Sequence, residues 1–245
     1  MLLEGKAGII TGAASGMGRA AADLFVKHGA QVLCADVNLE GAQDVAKRLG
    51  AGAFGHRLNL SDRASCQEAV KATLEKYGKV DFLTNFGGVW DGRNTAEIED
   101  AHWDRIMDVN LKGTFLICQA AAPVMTKQRG GRIVLIGSIA ARVGGEMGGP
   151  HYAASKGGVI SLGKALARRM GPHNVTVNII NPGAVESDMT AGWSDQAKAN
   201  MARITPLGRI GQPLDIARVA LFLVSDLSGW MTGQSLDVNG GAYFA

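Results

Sequence analysis

Tyr152 and Lys156 stand at the two ends of Tyr152-Ala153-Ala154-Ser155-Lys156. That spacing puts both side chains on one helix face, one turn apart. A phenol ionises near a pKa of about 10 and is a poor base at neutral pH. An ammonium group beside it favours the phenolate and so lowers that value. Ser138 closes the apolar run Arg132-Ile133-Val134-Leu135-Ile136-Gly137-Ser138, which reads as a buried strand. A hydroxyl at a strand's carboxyl end and a tyrosine at a helix start can meet over one small molecule. Together they suit proton transfer to or from an alcohol oxygen.

Positioning these groups calls for a scaffold, and the amino-terminal part of the chain outlines one. Ala7-Gly8-Ile9-Ile10-Thr11 reads as a strand, followed by Gly12-Ala13-Ala14-Ser15-Gly16-Met17-Gly18 and an amphipathic helix from about Arg19 to His28. Strand, glycine turn and helix in that order form a phosphate site, because glycines admit the pyrophosphate and the helix start offers free N–H groups. The next strand, Gln31 to Asp36, ends in an acid 18 residues after Gly18. That offset suits a carboxylate that binds ribose hydroxyls and repels a 2′-phosphate. Val37 follows the acid, and Ser15 occupies a turn position where a basic residue could otherwise meet that phosphate. The pattern favours NAD over NADP.

Strand and helix signals then alternate. Helices are expected over Leu39–Leu49, from a cap at Ser61 or Asp62 to Tyr77, over Glu97–Asp108 and on to Met125, over Tyr152–Met170 and over Pro213–Ser225. Strands are expected at Ala53–Leu58, Val80–Asn85, Arg132–Ser138, Val175–Ile180 and Ser235–Val238. This order implies a parallel sheet with helices on both faces and right-handed crossovers. Ligands then gather at the carboxyl ends of the strands. Gly12, Asp36, Asn59, Asn85, Gly87 and Ser138 all fall at such ends. Asn110 is a polar residue in an apolar helical stretch and reads on its own as a kink or a buried, backbone-satisfied side chain.

Length and composition narrow the alternatives. The 245 residues, 47% of them hydrophobic, fit one large α/β domain. The net charge of +3 is scattered, without a basic block, which argues against nucleic acid as the main partner. Neither a membrane span nor the apolar core of a signal peptide is evident. Cys34, Cys66 and Cys118 are far apart and read as thiols of a reducing compartment, with the cytoplasm the expected location. The five histidines lack metal-ligand spacing, so no metal is expected.

Over nearly its whole length the chain resembles the short-chain dehydrogenase/reductase family. The matching residues are Thr11-Gly12, Gly16, Gly18, Asn110, Ser138, Tyr152, Lys156 and Pro182-Gly183, in that order. The scaffold also looks like that of 3-oxoacyl-[acyl carrier protein] reductases. The resemblance implies one Rossmann-type domain over residues 1–245, doubly wound around about seven parallel strands, and a nicotinamide cofactor. It implies that Tyr152 is the general acid/base, that Lys156 lowers its pKa and holds the nicotinamide ribose, and that Ser138 bonds the substrate oxygen. Asn110 would hold a water linking Lys156 to solvent. Gly12, Ser15, Gly16, Met17, Gly18, Asp36, Val37, Asn59, Leu60, Asn85 and Gly87 would hold the adenosine and pyrophosphate end. Pro182, Gly183, Val185 and Ser187 would hold the carboxamide. A homotetramer is implied too, joined through the long helices and the last strand. The chain departs from the family where Asn-Asn-Ala-Gly usually follows the fourth strand, for here Phe86 takes the second position in Asn85-Phe86-Gly87-Gly88.

The walls of a substrate pocket are expected from Val89, Trp90, Val143, Met147, His151, Met189 and Trp193, with a lid over about 185–204. Arg142 and Glu146 read as surface charges. The mostly apolar set points to an NAD-dependent dehydrogenase of a small or medium apolar secondary alcohol. The alternatives are an NADPH-dependent 3-oxoacyl-[acyl carrier protein] reductase and a dinucleotide-binding protein without catalysis.

Overall fold

The computed structural model describes residues 1–145, 148–187, 190 and 192–244. Seven parallel strands form a single sheet: β1 Ala7–Thr11, β2 Gln31–Asp36, β3 Ala53–Arg57, β4 Phe82–Asn85, β5 Gly131–Ile136, β6 Val175–Pro182 and β7 Ser235–Val238. Their order is β3-β2-β1-β4-β5-β6-β7. The chain therefore reverses its direction of travel between β1 and β4, the point where a ligand crevice opens in such sheets.

The helices are α1 Gly16–Lys27, α2 Leu39–Leu49, α3 Arg63–Tyr77, α4 Asp100–Ile106, α5 Gly113–Gln128, α6 Ala140–Val143, α7 Pro150–Met170, α8 Asp195–Ile204 and α9 Pro213–Val224. Successive strand residues point to opposite faces, and the two halves of the core follow that alternation. Ile9, Leu33, Leu83, Leu135 and Ile179 pack on one face with Val70 of α3, Ile117 of α5 and Val159 of α7. Ile10, Val32, Cys34, Val134 and Ile180 pack on the other with Phe25 of α1, Val45 of α2 and Leu221 of α9. Both faces are covered, so the strands read as continuous apolar runs.

Several expected boundaries move, each for a local reason. Helix α1 starts at Gly16, not Arg19, so the second half of the glycine turn is already its first turn. Val80 stays outside β4 because the Gln128 side chain takes both its N–H (3.0 Å) and its carbonyl (3.0 Å). Asp81 also stays outside, its carboxylate accepting the Ala7 N–H at 2.8 Å. Asp62 caps α3 through the Ala64 N–H. Ser61 turns instead to Asn59 Oδ1, at 2.7 Å. The helix expected over Glu97–Asp108 shortens to α4, and residues Met107–Lys112 form a π turn leading into α5. Such widened turns leave a side chain free to reach across the fold. Here that side chain is Asn110. No helix among the described residues is long and apolar enough to cross a membrane.

Candidate active site

The glycine turn meets β4 at the reversal point. Gly12 has φ +65°, and a Cβ there would lie 2.9 Å from the Gly87 nitrogen. A Cβ on Gly18 would lie 2.1 Å from the Gly12 carbonyl oxygen, so the first turn of α1 packs directly on the loop. Ser15 is the N-cap, yet its side chain caps none of the first-turn N–H groups. A cavity of about 380 Å³ lies against this helix start, lined by Gly12, Ser15, Gly16, Met17, Gly18, Asp36, Val37, Asn59, Leu60 and Gly87, among others. Bare backbone, an uncapped helix start and a carboxylate fit a dinucleotide: the N–H groups and dipole take the pyrophosphate, and the acid takes ribose hydroxyls. Asp36 is held in place by the Ala14 N–H (3.1 Å) and the Asn38 N–H (3.0 Å), one on each carboxylate oxygen.

A second cavity, of about 360 Å³, shares Met17, Phe86, Gly88, Val89 and Ser187 with the first. Ser138, Tyr152, Lys156, Trp90, Trp193, Pro182, Gly183 and Val185 all line it. Lys156 is the one charged residue among its described lining. Ser138 Oγ accepts the Ala140 N–H at 3.1 Å, which leaves its own proton to donate elsewhere.

The electrostatics differ from the expectation drawn from spacing. Burial pushes the Tyr152 phenol above its usual value, and a hydrogen bond with Ser138 pulls it part of the way back. Lys156 is held by the backbone beside the ring. Its Nζ lies 5.8 Å from the centre of the tyrosine ring and donates to the Ile136 carbonyl at 2.9 Å. Burial weakens the ammonium itself, bringing Lys156 down to about 8. Spacing along a helix cannot register desolvation, which falls on both groups.

Three more expected site residues sit behind the cavity walls. Asn85 is buried, accepting from Thr11 Oγ1 and donating to Thr114 Oγ1 at 2.9 Å, so it braces β4 and does not face the dinucleotide cavity. Thr11 in turn accepts the Gly87 N–H at 2.9 Å. Asn110 is 1% exposed and lines neither cavity. Its Oδ1 accepts the Val89 N–H (2.8 Å), while Nδ2 donates to the Val89 carbonyl (2.9 Å) and to Ser155 Oγ (3.2 Å). It thus pins the loop after β4 to α7. His151, expected in the substrate wall, is wholly buried on the far side of its helix. It stacks on Trp103, ring centres 6.5 Å apart, with Nε2 3.6 Å from Asp91 Oδ2. The helical turn that carries Tyr152 into the cavity carries its neighbour away from it.

A family model described as enoyl-(acyl carrier protein) reductase matches residues 12–243. The chain belongs to the short-chain dehydrogenase/reductase family. It is 43% identical over 250 residues to an uncharacterized short-chain type dehydrogenase/reductase of Sinorhizobium fredii, covering 98% of each chain. It is 38% identical to a 3-oxoacyl-[acyl-carrier-protein] reductase of Thermotoga maritima, over 98% of this chain and 99% of that one. The crystal structure of a 3-oxoacyl-[acyl-carrier protein] reductase from Brucella melitensis superposes with a TM-score of 0.94 at 35% identity, covering 100% of this chain and 93% of that one.

As a short-chain dehydrogenase/reductase the chain is an oxidoreductase of a family that binds nicotinamide dinucleotide. Its departure at Phe86 acquires a location: the ring lies where the two cavities join and packs into the core beneath. Ile139 and Ala242, which sequence reasoning passed over, also line the second cavity, together with Thr190, Met201 and Ile204 of the expected lid segment. Thr190 announces itself only through its bonds, its Oγ1 accepting the Ser187 N–H (2.9 Å) and contacting the Val185 carbonyl at 3.2 Å. Met147 and Met189 lie outside the described residues.

Proposed function

We propose that this oxidoreductase interconverts a ketone and its secondary alcohol with NADH and NAD, and that its ketone is of the 3-oxoacyl thioester class. One observation carries the reaction type: Tyr152, Ser138 and Lys156 converge on an apolar cavity that runs into the glycine-lined one. A bound nicotinamide supplies or accepts the hydride. The Ser138 hydroxyl donates to the substrate oxygen, its own lone pair already engaged by Ala140. Tyr152 delivers or removes the proton. Lys156 supplies positive charge beside the ring and a hydrogen-bond donor for the cofactor ribose. The start of α1 takes the pyrophosphate and Asp36 the adenosine ribose. Asn59 and Leu60 flank the adenine, and Pro182, Gly183, Val185 and Ser187 take the carboxamide end. Residues 185–204 act as the lid, with Trp193, Met201 and Ile204 contributing apolar contacts.

Two observations set the substrate readings apart. The likeness to 3-oxoacyl-[acyl-carrier-protein] reductases of Thermotoga maritima and Salmonella typhimurium, at 38% and 37% identity, favours a 3-oxoacyl thioester. The apolar lining, with Lys156 the single cation among its described residues, favours a small neutral secondary alcohol as the second reading. Initial rates decide between them. NADH and NADPH are compared on a 3-oxoacyl thioester and on simple ketones, with NAD and NADP on secondary alcohols. Thioester turnover well above that of simple ketones supports the first reading. Turnover confined to simple ketones and alcohols replaces it with the second, and none on any of them sinks both. A homotetramer belongs to the same proposal: β7 is an edge strand, with Leu227 and Trp230 exposed nearby, and Phe115 is exposed on α5. A monomer in sedimentation would overturn that part.

A further inference from the structure

Arg142, which reads from sequence as a surface charge, is tied into a partly buried network behind Ser138. Its Nε lies 3.3 Å from Asp237 Oδ1, and its Nη2 donates to Ser235 Oγ at 3.0 Å and approaches the Ser235 carbonyl at 3.4 Å. Asn181 grips the same two atoms from β6, its Nδ2 donating to Asp237 Oδ1 at 2.7 Å and to Ser235 Oγ at 2.8 Å. The ion pair is sheltered, with side-chain exposures of 23% for Arg142 and 12% for Asp237. It is therefore screened less than a surface pair.

The network bears on Ser138 through a short chain of contacts. Arg142 lies on α6, the single turn that begins two residues after Ser138. Backbone bonds hold the start of that segment to β6, Gly137 N–H to Ile180 at 2.8 Å and Ile139 N–H to Pro182 at 3.0 Å. The Arg142 N–H closes the turn on the Ile139 carbonyl at 2.8 Å. The Ala140 N–H, inside the same turn, is the group that fixes Ser138 Oγ. A four-residue helix has no length to stabilise itself. Ala141 packs on the core, and the polar side-chain anchorage of α6 to the sheet is through Arg142.

We propose that Arg142 is a positioning residue: its grip on Asp237 and Ser235 of β7 holds α6 so that the Ser138 hydroxyl stays against the Tyr152 phenol. The inference rests on the reading of Ser138 and Tyr152 as the reacting pair, but it can be tested without substrate or cofactor. The chain has three tyrosines, Tyr77, Tyr152 and Tyr243. The difference between the near-ultraviolet tyrosinate titration of a protein and that of its Tyr152→Phe counterpart isolates Tyr152. The charged group facing Tyr152 from its own helix is Lys156, and Ser138 shares its cavity from the β5 loop.

In Arg142→Met the Tyr152 midpoint moves upward, toward that of Ser138→Ala, and the double variant moves no further than Ser138→Ala alone. Arg142→Lys and Asp237→Asn, which keep part of the network, move it less and guard against a misfolded Arg142→Met. On whichever ketone the enzyme turns over, kcat falls about tenfold in Arg142→Met while KM stays within about twofold. A lowered melting temperature with the Tyr152 midpoint unchanged in all three variants would overturn the inference, leaving Arg142 a structural residue. If the wild type turns over no ketone but the midpoint still moves, the strut stands and the proposed function fails.

Discussion

At the scale of single residues, the proposed reaction puts the proton transfer on Tyr152. Tyr152→Phe removes the proton path and should cut kcat by about 10²- to 10⁴-fold. Dinucleotide affinity, read by titration calorimetry, should stay close to wild type. Because burial holds the phenol above its ordinary value, its base form grows as pH rises. Alcohol oxidation, which needs that base, should gain in kcat/KM with rising pH, and ketone reduction should lose. A flat oxidation profile up to the alkaline limit would remove Tyr152 as the base. Lys156 gives a stability test with a definite sign. Its value falls from 10.5 in the exposed state to about 8 when folded. Over that window the folded chain binds fewer protons than the unfolded one, so stability rises with pH from about 8 to 10.5. Below pH 8 the buried charge is a standing cost. Lys156→Met should therefore be more stable than wild type at pH 7, by on the order of 1–3 kcal/mol, while losing activity. Thermal melts at pH 7 and pH 10 should show that advantage shrinking at the higher pH.

At the scale of elements, the glycine turn and the start of α7 make the strongest demands. Gly12→Ala places a methyl group 2.9 Å from the Gly87 nitrogen at φ +65°. The left-handed conformation alone costs a residue with a Cβ about 1–2 kcal/mol. The expected outcome is a loss of at least that much in denaturant unfolding, together with weaker dinucleotide binding. Retained affinity would mean that the loop does not shape that cavity. His151 tests a different element. It is enclosed by Trp103, Asp91 and the chain at Gly149, away from the substrate cavity. His151→Ala should lower stability by about 2 kcal/mol through the void it leaves, with KM for ketones little changed. A large KM increase at unchanged stability would restore it to the pocket wall.

At the scale of the whole molecule, the proposed cofactor choice depends on groups from β1, β2 and α1 meeting at one edge. Asp36 sits in the dinucleotide cavity with Ser15 and Val37 and without a cation among the described lining. Asp36→Ser should raise kcat/KM with NADPH relative to NADH by at least tenfold, since the acid that repels a 2′-phosphate is gone. An unchanged ratio would show that selection lies elsewhere in the cavity. The second cavity is assembled over an even longer span of chain, from Met17 on α1 to Ala242 beyond β7.

The doubly wound sheet was legible in the alternation of apolar runs with glycine turns, since parallel strands buried on both faces carry that pattern in their own residues. Local geometry also pointed to Gly12, Gly16, Gly18 and Asp36 as neighbours on one cavity, because a strand, a turn and a helix start lie within a few residues of one another. Tyr152 and Lys156 could be paired from their spacing. The sign of their titration could not, because desolvation comes from neighbours far away in the chain. Tertiary structure alone decided that Asn85 and Asn110 brace the walls while Ile139 and Ala242 form them. It also decided that His151 turns inward and that Arg142 reaches β7. Each depends on which side of an element meets a segment dozens of residues distant, and no local pattern in the sequence encodes that meeting.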